Sequence, residues 1–199
     1  MKKYFLSLRM AASLAALLVA SMSVSSVASA QQKLMPAQSE IGFTSRQMGV
    51  PVSGSFKKFD AQIVFDPKKP ELSKVSFAVD LLSADLGNPE TESELKKPGW
   101  FNSLKMPVAT FTSTSVKALG TLGSGKFEFA GKLAIKGISQ NIVVPVTLIQ
   151  AKDNTRVVGS FNLKRLDFKI GDGDWNDVSI VANEVTVNLK LAITGIAAP

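Results

Sequence analysis

Apolar and polar residues alternate along several stretches of this chain, and this two-residue period constrains the fold more than any other feature of the sequence. Within residues 59–66 every odd-numbered side chain is apolar, and Val64 is the only apolar residue at an even position. Similar alternation recurs over 73–82, 126–136 and 184–194. A strand points successive side chains to opposite faces, whereas an amphipathic helix repeats about every 3.6 residues. Each stretch therefore predicts a half-buried β-strand.

Turn-forming residues separate these stretches, for example Asp66-Pro67 and the glycine-rich segment 120–125. Regularly spaced strands joined by hairpin turns predict a sandwich or a barrel, and eight antiparallel strands can close a barrel around one small ligand. The sequence favours a single all-β barrel over a sandwich. The eight predicted strands lie near residues 39–48, 52–66, 73–82, 108–118, 126–136, 141–151, 156–166 and 179–194.

One segment departs from the β pattern. Residues 89–97 carry acidic side chains at their start and lysines at their end, which suits a short helix and its dipole. Pro98-Gly99 would end that helix, and Trp100 and Phe101 follow at once. Two interpretations stay open for this aromatic pair: it forms the lid of a cavity, or it caps the core at one end of the barrel.

The first thirty residues have the composition of a secretory leader. Lys2, Lys3 and Arg9 precede an uncharged apolar run, and Ala28-Ser29-Ala30 fits a cleavage site. We therefore expect residues 1–30 to be a signal peptide that is removed, residues 31–199 to form one domain, and the protein to reach the periplasm. Loss of three cations lowers the net charge from +7 to +4. Because the remaining lysines are scattered, nucleic acid is not an expected partner.

The chain contains no Cys and no His, which narrows its chemistry. Thiol nucleophiles, histidine bases and the usual zinc and haem ligands are all absent from its composition, so we expect neither an enzyme nor a cofactor. Residues 120–126 partly match a phosphate-binding loop, but Phe127 stands where Ser or Thr must hold magnesium. Asp172 to Asp177 resemble the start of a calcium loop without its required glycine. A solvated turn is expected there; an ion, a partner and a ligand entrance stay open alternatives.

Four stretches in order along the chain are similar to one known family. They are 52–60 (VSGSFKKFD), 100–116 (WFNSLKMPVATFTSTSV), 131–140 (GKLAIKGISQ) and 166–171 (LDFKIG). On these residues the chain resembles the YceI family of periplasmic, lipocalin-like lipid-binding proteins. The resemblance implies an elongated eight-stranded antiparallel barrel whose tunnel holds an isoprenoid lipid, such as an isoprenoid quinone or a polyprenyl phosphate. It thus implies an exported lipid carrier or store.

The resemblance also supplies an alternative function and shows two departures. The 171–175 turn looks like the branch found alongside membrane cytochromes of the b561 type, so a non-catalytic scaffold docking such a redox partner is the alternative. A homodimer is a further partner hypothesis. Gln38-Ser39 stands where many members have His-Ser, and residues 92–95 replace an Arg-Asp-x-His-Leu segment. Headgroup contacts would therefore differ, and the choice between quinone and another prenyl lipid stays open.

The inward phase of the predicted strands supplies the candidate ligand-binding residues. Trp100, Phe101 and Trp175 are candidates for the mouth of the tunnel. The same apolar side chains would also fill a closed core, so the sequence leaves a hollow barrel and a solid one as alternatives. The candidates for the wall are Phe43, Phe59, Ile63, Phe65, Phe77, Val79, Phe111, Phe129, Leu133, Val144, Val146, Phe161, Val187 and Leu189.

Overall fold

Strands dominate the described chain, as the alternation predicts. The computed structural model describes residues 31–121 and 123–198, so the predicted leader, residues 1–30, lies outside the described residues. The described residues contain one α-helix, α1 (Pro89–Leu95). The strands are β1 (Lys33–Leu34), β2 (Glu40–Gln47), β3 (Val50–Phe56), β4 (Phe59–Val64), β5 (Lys74–Asp80), β6 (Ala84–Asp85), β7 (Val108–Ala118), β8 (Lys126–Ile135), β9 (Ile138–Gln150), β10 (Thr155–Lys164) and β11 (Glu184–Thr194).

All of these strands belong to one antiparallel sheet. Its order is β4-β5-β7-β8-β9-β10-β11-β2-β3-β6, and β1 pairs with β11 off this path. The sheet curls into a half-barrel, which confirms the prediction of an all-β, antiparallel, barrel-type fold with one short helix near 89–97. Side chains that point inward alternate with exposed ones, most clearly along β4 and β10. The concave face therefore gathers the apolar phase of the sequence.

The β4 edge of the sheet is held by a side chain. The Gln32 side-chain Nε2 donates to the Phe65 carbonyl at 2.6 Å, and the Phe65 N–H donates to Gln32 Oε1 at 2.8 Å. Gln32 thus pairs with Phe65 much as a neighbouring strand residue would. This contact links the end of β4 to the residue that precedes β1, and β1 itself pairs with β11.

The predicted strand 52–66 is two strands, β3 and β4, because the chain bends at Lys57 and Lys58. The Lys57 N–H donates to the Ser83 carbonyl at 3.1 Å, and the Lys58 N–H donates to Ser83 Oγ at 3.0 Å. Because these two N–H groups bond to Ser83 and not to β2, the pairing with β2 ends there, and β4 pairs with β5. The eight predicted strands therefore become nine of six or more residues, with β1 and β6 as short additions.

The helix α1 begins at a side-chain cap that the sequence analysis did not use. Asn88 Oδ1 accepts hydrogen bonds from the N–H groups of Glu90 and Thr91, at 2.9 and 3.1 Å. The helix ends at Leu95, two residues earlier than predicted, and the Phe101 N–H donates to the Leu95 carbonyl at 2.9 Å. That turn brings the 100–101 segment onto the barrel end. Within the described ranges, no helix is long and apolar enough to span a bilayer.

The last predicted strand also starts late, at Glu184 rather than near 179. Residues 170–182 form a loop whose carbonyl groups turn toward the buried side chain of Arg165. Together with the β2–β3 and β8–β9 hairpins and the 81–107 connection, this loop forms one end of the barrel, here called the head end. The opposite end holds β1 and the turns after β4, β7 and β9.

Candidate functional site

A cavity of about 490 Å³ runs through the interior of the curled sheet. Its wall includes side chains from each of the nine longer strands, and most of them are aliphatic or aromatic. The pleat of the strands explains this, since every second residue of a curled sheet points to the concave side. The sequence left a hollow barrel and a solid one as alternatives, and the structure shows the hollow one.

The structure brings nearly all of the predicted ligand-binding residues together on this wall. Phe59 is the exception: it is half-buried at the start of β4 and packs against the same core cluster, but it does not line the cavity. Their role in binding a ligand stays a prediction. The predicted residues on the wall are Phe43, Ile63, Phe65, Phe77, Val79, Trp100, Phe101, Phe111, Phe129, Leu133, Val144, Val146, Phe161, Trp175, Val187 and Leu189.

Aromatic side chains pack in the wall toward both ends of the cavity. At the head end the rings of Trp100 and Trp175 have centroids 5.7 Å apart, and Phe101 lies 6.1 Å from Phe56. Toward the opposite end Phe65 contacts Phe127 edge-on at 5.0 Å. The three predicted mouth residues are thus half-buried wall residues of the head end, placed there by the turn that follows α1.

Five polar side chains of the wall come from only two elements, the end of β2 and α1, and we call this part of the wall the mouth. Arg46 and Gln47 reach it from the end of β2, and Glu90, Thr91 and Glu94 reach it from α1. Arg46 Nη1 donates to the Gly49 carbonyl at 3.1 Å, and Glu94 forms an ion pair with Lys97. The sequence analysis missed these residues because β2 and α1 line one cavity only in the folded chain.

Several further wall residues share the inward phase of the predicted ones and could have been found by extending it. Val157 lies four residues before Phe161 on β10, and Leu191 and Ile193 continue the phase of Leu189 on β11. These positions are buried. The strand period alone therefore contains most of the information about the wall.

The comparison with known protein families agrees with this architecture. A family description of the YceI-like domain matches residues 32–193. The chain belongs to the YceI family. It is 33% identical over 149 residues to UPF0312 protein of Ectopseudomonas mendocina (strain ymp), a match that covers 72% of this chain and 73% of the relative. It is 34% identical over 101 residues to Protein YceI of Escherichia coli O157:H7, covering 51% of each chain.

Solved structures share the fold of this YceI-family chain. The crystal structure of Burkholderia cenocepacia BcnA superposes with a TM-score of 0.76 at 36% identity, covering 81% of this chain and 99% of BcnA. A polyisoprenoid-binding domain from Saccharophagus degradans, implicated in plant cell wall breakdown, superposes with a TM-score of 0.66. That match has 15% identity, covers 85% of this chain and 99% of the domain, and shows the fold alone.

A buried arginine organises the head end of this YceI-family barrel. Arg165 is only 2% exposed, and burial lowers the pKa of its guanidinium from the ordinary value. All five of its N–H donors are used within the protein, so Arg165 has none left for a ligand. Sequence analysis passed over it, although arginine is rare in this lysine-rich chain and Arg165 directly precedes the 166–171 motif. The five acceptors are the carbonyl groups of Ile170, Gly171, Trp175, Val181 and Ala182.

The loop from Asp172 to Asp177 is a turn with its own hydrogen bonds. Asp177 Oδ1 accepts from the Ser179 N–H at 2.8 Å and from Ser179 Oγ at 2.7 Å, and these bonds lower the pKa of the Asp177 carboxyl. Asp172 lies 3.7 Å from the Lys136 ammonium group. Among residues 31–121 and 123–198, no three acidic, His or Cys side chains are grouped as metal ligands.

Proposed function

We propose that this chain is an exported carrier or store that binds a long apolar isoprenoid lipid, an isoprenoid quinone or a polyprenyl phosphate, inside the barrel. The observation that carries the proposal is the cavity of about 490 Å³ with its almost continuous apolar wall. This volume falls within the roughly 300–1,000 Å³ of small-molecule sites. An apolar chain that enters the cavity supplies van der Waals contacts that the wall side chains otherwise lack.

The energetic cost of the hollow supports a resident ligand. Cavities left by truncated core side chains cost about 24 cal/mol per Å³. Applied to about 490 Å³, this gives on the order of 10 kcal/mol relative to a filled core. Such a penalty is comparable to the total stability of an ordinary domain, about 5–15 kcal/mol. We expect a protein that maintains such a cavity to bind a ligand in it, and a lipid tail with methyl-branched carbons would fill the space.

Affinity follows from the same contacts. Burial of a methylene-sized unit contributes about 0.8 kcal/mol before the costs of association. Drug-sized ligands reach about 0.3 kcal/mol per heavy atom after those costs, so a tail of roughly 40 atoms could bind at nanomolar concentration. We expect the tail to lie along the apolar wall and the headgroup to lie at the mouth, where β2 and α1 contribute polar side chains to the wall.

The relatives support the ligand class, and the leader pattern supports the compartment. A solved domain that is described as polyisoprenoid-binding has the same fold. Residues 1–30 carry the charged start, apolar run and cleavage pattern of a signal peptide, and we infer export to the periplasm from them. We infer a non-catalytic role because binding along an apolar wall explains the site without a reacting group.

Mass spectrometry of a lipid extract tests the proposal directly. Protein purified from cells under native conditions should carry an isoprenoid at near-stoichiometric amount. Absence of any isoprenoid, together with failure of the purified protein to take up added ubiquinone or undecaprenyl phosphate, would overturn it.

Two matched tryptophan variants connect that ligand to the cavity. Phe129→Trp enlarges a wall side chain 5.7 Å from Phe65, so the amount of bound isoprenoid should fall at least severalfold while the fold persists. Val143→Trp adds a larger change on the neighbouring strand at a side chain that is 51% exposed, and loading should not change. Equal loading of both variants would show that the lipid does not occupy this cavity.

Docking of a membrane cytochrome of the b561 type is a separate hypothesis with its own experiment. It predicts that a photocrosslinker in the 172–177 loop captures such a cytochrome in cells. Capture by Phe129→Trp as efficiently as by the parent would favour a scaffold role that does not depend on lipid.

A further inference from the structure

Two residues of the cavity wall carry a buried polar atom that has no hydrogen-bond partner among the described residues. The atoms are Ser45 Oγ, on β2, and Trp100 Nε1, in the segment that follows α1. Most buried side-chain polar atoms in proteins have a partner, and one that is left unpaired destabilises the fold. The cavity wall therefore contains two groups able to donate a hydrogen bond that the protein itself leaves unused.

The pleat of β2 places Ser45 on the concave face of the sheet. Ile41 and Phe43 precede it at two-residue intervals on the same strand, and both line the cavity together with it. Val52, which pairs with Ser45 across β2 and β3, lines the cavity as well. Ser45 is thus a polar position in an apolar row, and the described residues offer no acceptor to its hydroxyl group.

Packing at the head end orients the indole of Trp100. A Cβ added at Gly171 would lie 3.2 Å from Cη2 and Cζ3 of Trp100, so the benzene edge of the indole faces that glycine. Nε1 belongs to the other ring of the indole and lies away from this edge. Buried tryptophan normally pairs its N–H group with an acceptor. An unpaired Nε1 on a residue of the cavity wall therefore indicates an acceptor that a ligand supplies.

The charged side chains of the wall do not suit an anionic headgroup. They are Arg46, Arg165, Glu90 and Glu94, whose formal charges cancel, and no lysine of the described residues lines the cavity. Arg165 has no donor left, and Arg46 already directs Nη1 at the Gly49 carbonyl. A phosphate monoester carries a charge of about −1.5 to −2 and is normally bound by several cationic donors. In this wall two carboxylates would oppose the remaining donors of Arg46.

We propose that Ser45 Oγ and Trp100 Nε1 donate hydrogen bonds to uncharged oxygen atoms of the lipid, and that the cavity therefore selects a carbonyl-bearing isoprenoid over a polyprenyl phosphate. This inference rests on the proposed function, because it assigns roles to residues of the same cavity. A quinone ring has two carbonyl oxygens that accept hydrogen bonds without bringing a charge into the wall. Removal from water costs a phosphate far more than a carbonyl group, so the two headgroups should differ clearly in affinity.

Two probes with the same geranylgeranyl tail test the headgroup preference. Menaquinone-4 has a quinone ring on that tail, and geranylgeranyl phosphate has a phosphate. In titrations of the lipid-free protein followed by native mass spectrometry, menaquinone-4 should bind at least about tenfold more tightly. Equal binding, or tighter binding of the phosphate, would overturn this inference and leave the lipid-carrier proposal standing. Binding of neither probe would overturn both.

Two variants test the assigned donors, with an isoprenoid hydrocarbon as the control ligand. Ser45→Ala and Trp100→Phe each remove one donor and should weaken menaquinone-4 binding about two- to twelvefold, the contribution of one neutral hydrogen bond. Squalene has no oxygen, so Ser45→Ala should bind it like the parent. For Trp100→Phe, which also changes the shape of the wall, the affinity for menaquinone-4 should fall more than the affinity for squalene.

A matched serine variant on the neighbouring strand completes the experiment. Ser53 lies on β3 with its Oγ 3.0 Å from Thr44 Oγ1, on the outer face of the sheet, so Ser53→Ala should bind both probes like the parent. Lipid-free Ser45→Ala should unfold at the same temperature as the parent or higher, because it removes an unpaired polar group. The assignment is wrong if neither donor variant weakens menaquinone-4 binding, or if each weakens squalene binding equally.

Discussion

Replacement of Arg165 by Met should destabilise the head end of the barrel more than any other single arginine change. The methionine side chain fills similar space but offers none of the five N–H donors that the guanidinium directs at carbonyl groups of the 170–182 segment. Three of those bonds are 2.6 or 2.7 Å long, as expected for a charged donor. The substitution therefore leaves a set of buried acceptors without partners.

The expected magnitude follows from this count. A hydrogen bond from a charged donor contributes about 1.5–3 kcal/mol, but the variant also avoids the cost of burying the charge. Each buried acceptor that is left without a partner costs about 1–3 kcal/mol, and the avoided burial of the charge offsets part of that sum, which leaves about 3–5 kcal/mol. In a chain of this size each kcal/mol corresponds to roughly 2–4 °C in the unfolding midpoint. Arg165→Met should thus lower the midpoint by about 6–20 °C.

Thermal unfolding followed by circular dichroism measures this change, with two comparison variants. Arg165→Lys keeps a charge but offers three donors from one atom, so it should recover only part of the loss. Arg156→Met alters an exposed position on β10 and should change stability by less than about 0.5 kcal/mol. If Arg165→Met unfolds at the same temperature as Arg156→Met, the five bonds do not stabilise the fold and the reasoning is wrong.

Two further predictions concern packing and pH. Gly131→Ala should destabilise the protein by about 1–3 kcal/mol, because its Cβ would lie 2.6 Å from the Phe111 ring. At Gly42 an added Cβ would lie 3.2 Å from the flexible Glu40 carboxylate and at an ordinary 3.6 Å from the Gly54 carbonyl, so Gly42→Ala should cost much less, and similar urea midpoints for both variants would contradict this. The Lys57 hydrogen bond, then the Gly87 N–H, lowers the pKa of Asp85. Charged Asp85 therefore stabilises the fold above its unfolded pKa, and this contribution is lost as pH falls through the lowered folded pKa. Asp85→Asn should flatten the acid side of the stability profile, and an unchanged profile would refute the assignment.

Much of the candidate site could be read from local chemistry. A β-strand alternates its side chains by covalent geometry, so the phase that contains Ile63, Phe111 and Val187 had to share one face wherever these strands formed. The wall residues at these positions confirm that phase. The helix near 89–97 was also predictable, since its proline, acidic start and following Pro-Gly are local signals.

Other features depend on contacts that no local pattern contains. The bend at Lys57 and Lys58 lies inside an alternating run, and it forms because Ser83, far along the chain, accepts their N–H groups. Arg165 reads as an ordinary polar residue at a strand end, and only the fold surrounds it with carbonyl groups.

The amino-acid sequence by itself determined that this chain forms antiparallel strands and which side chains face inward, because both depend on the pleat and on residues close in the chain. Only the tertiary structure decided that the inward side chains leave an open cavity between them. The distance across the barrel depends on strand order, on the curl of the sheet and on the bend between β3 and β4, and these are set by pairing between residues far apart in sequence. The folded chain also places α1 and the end of β2 in the wall of one cavity, although they are far apart in sequence.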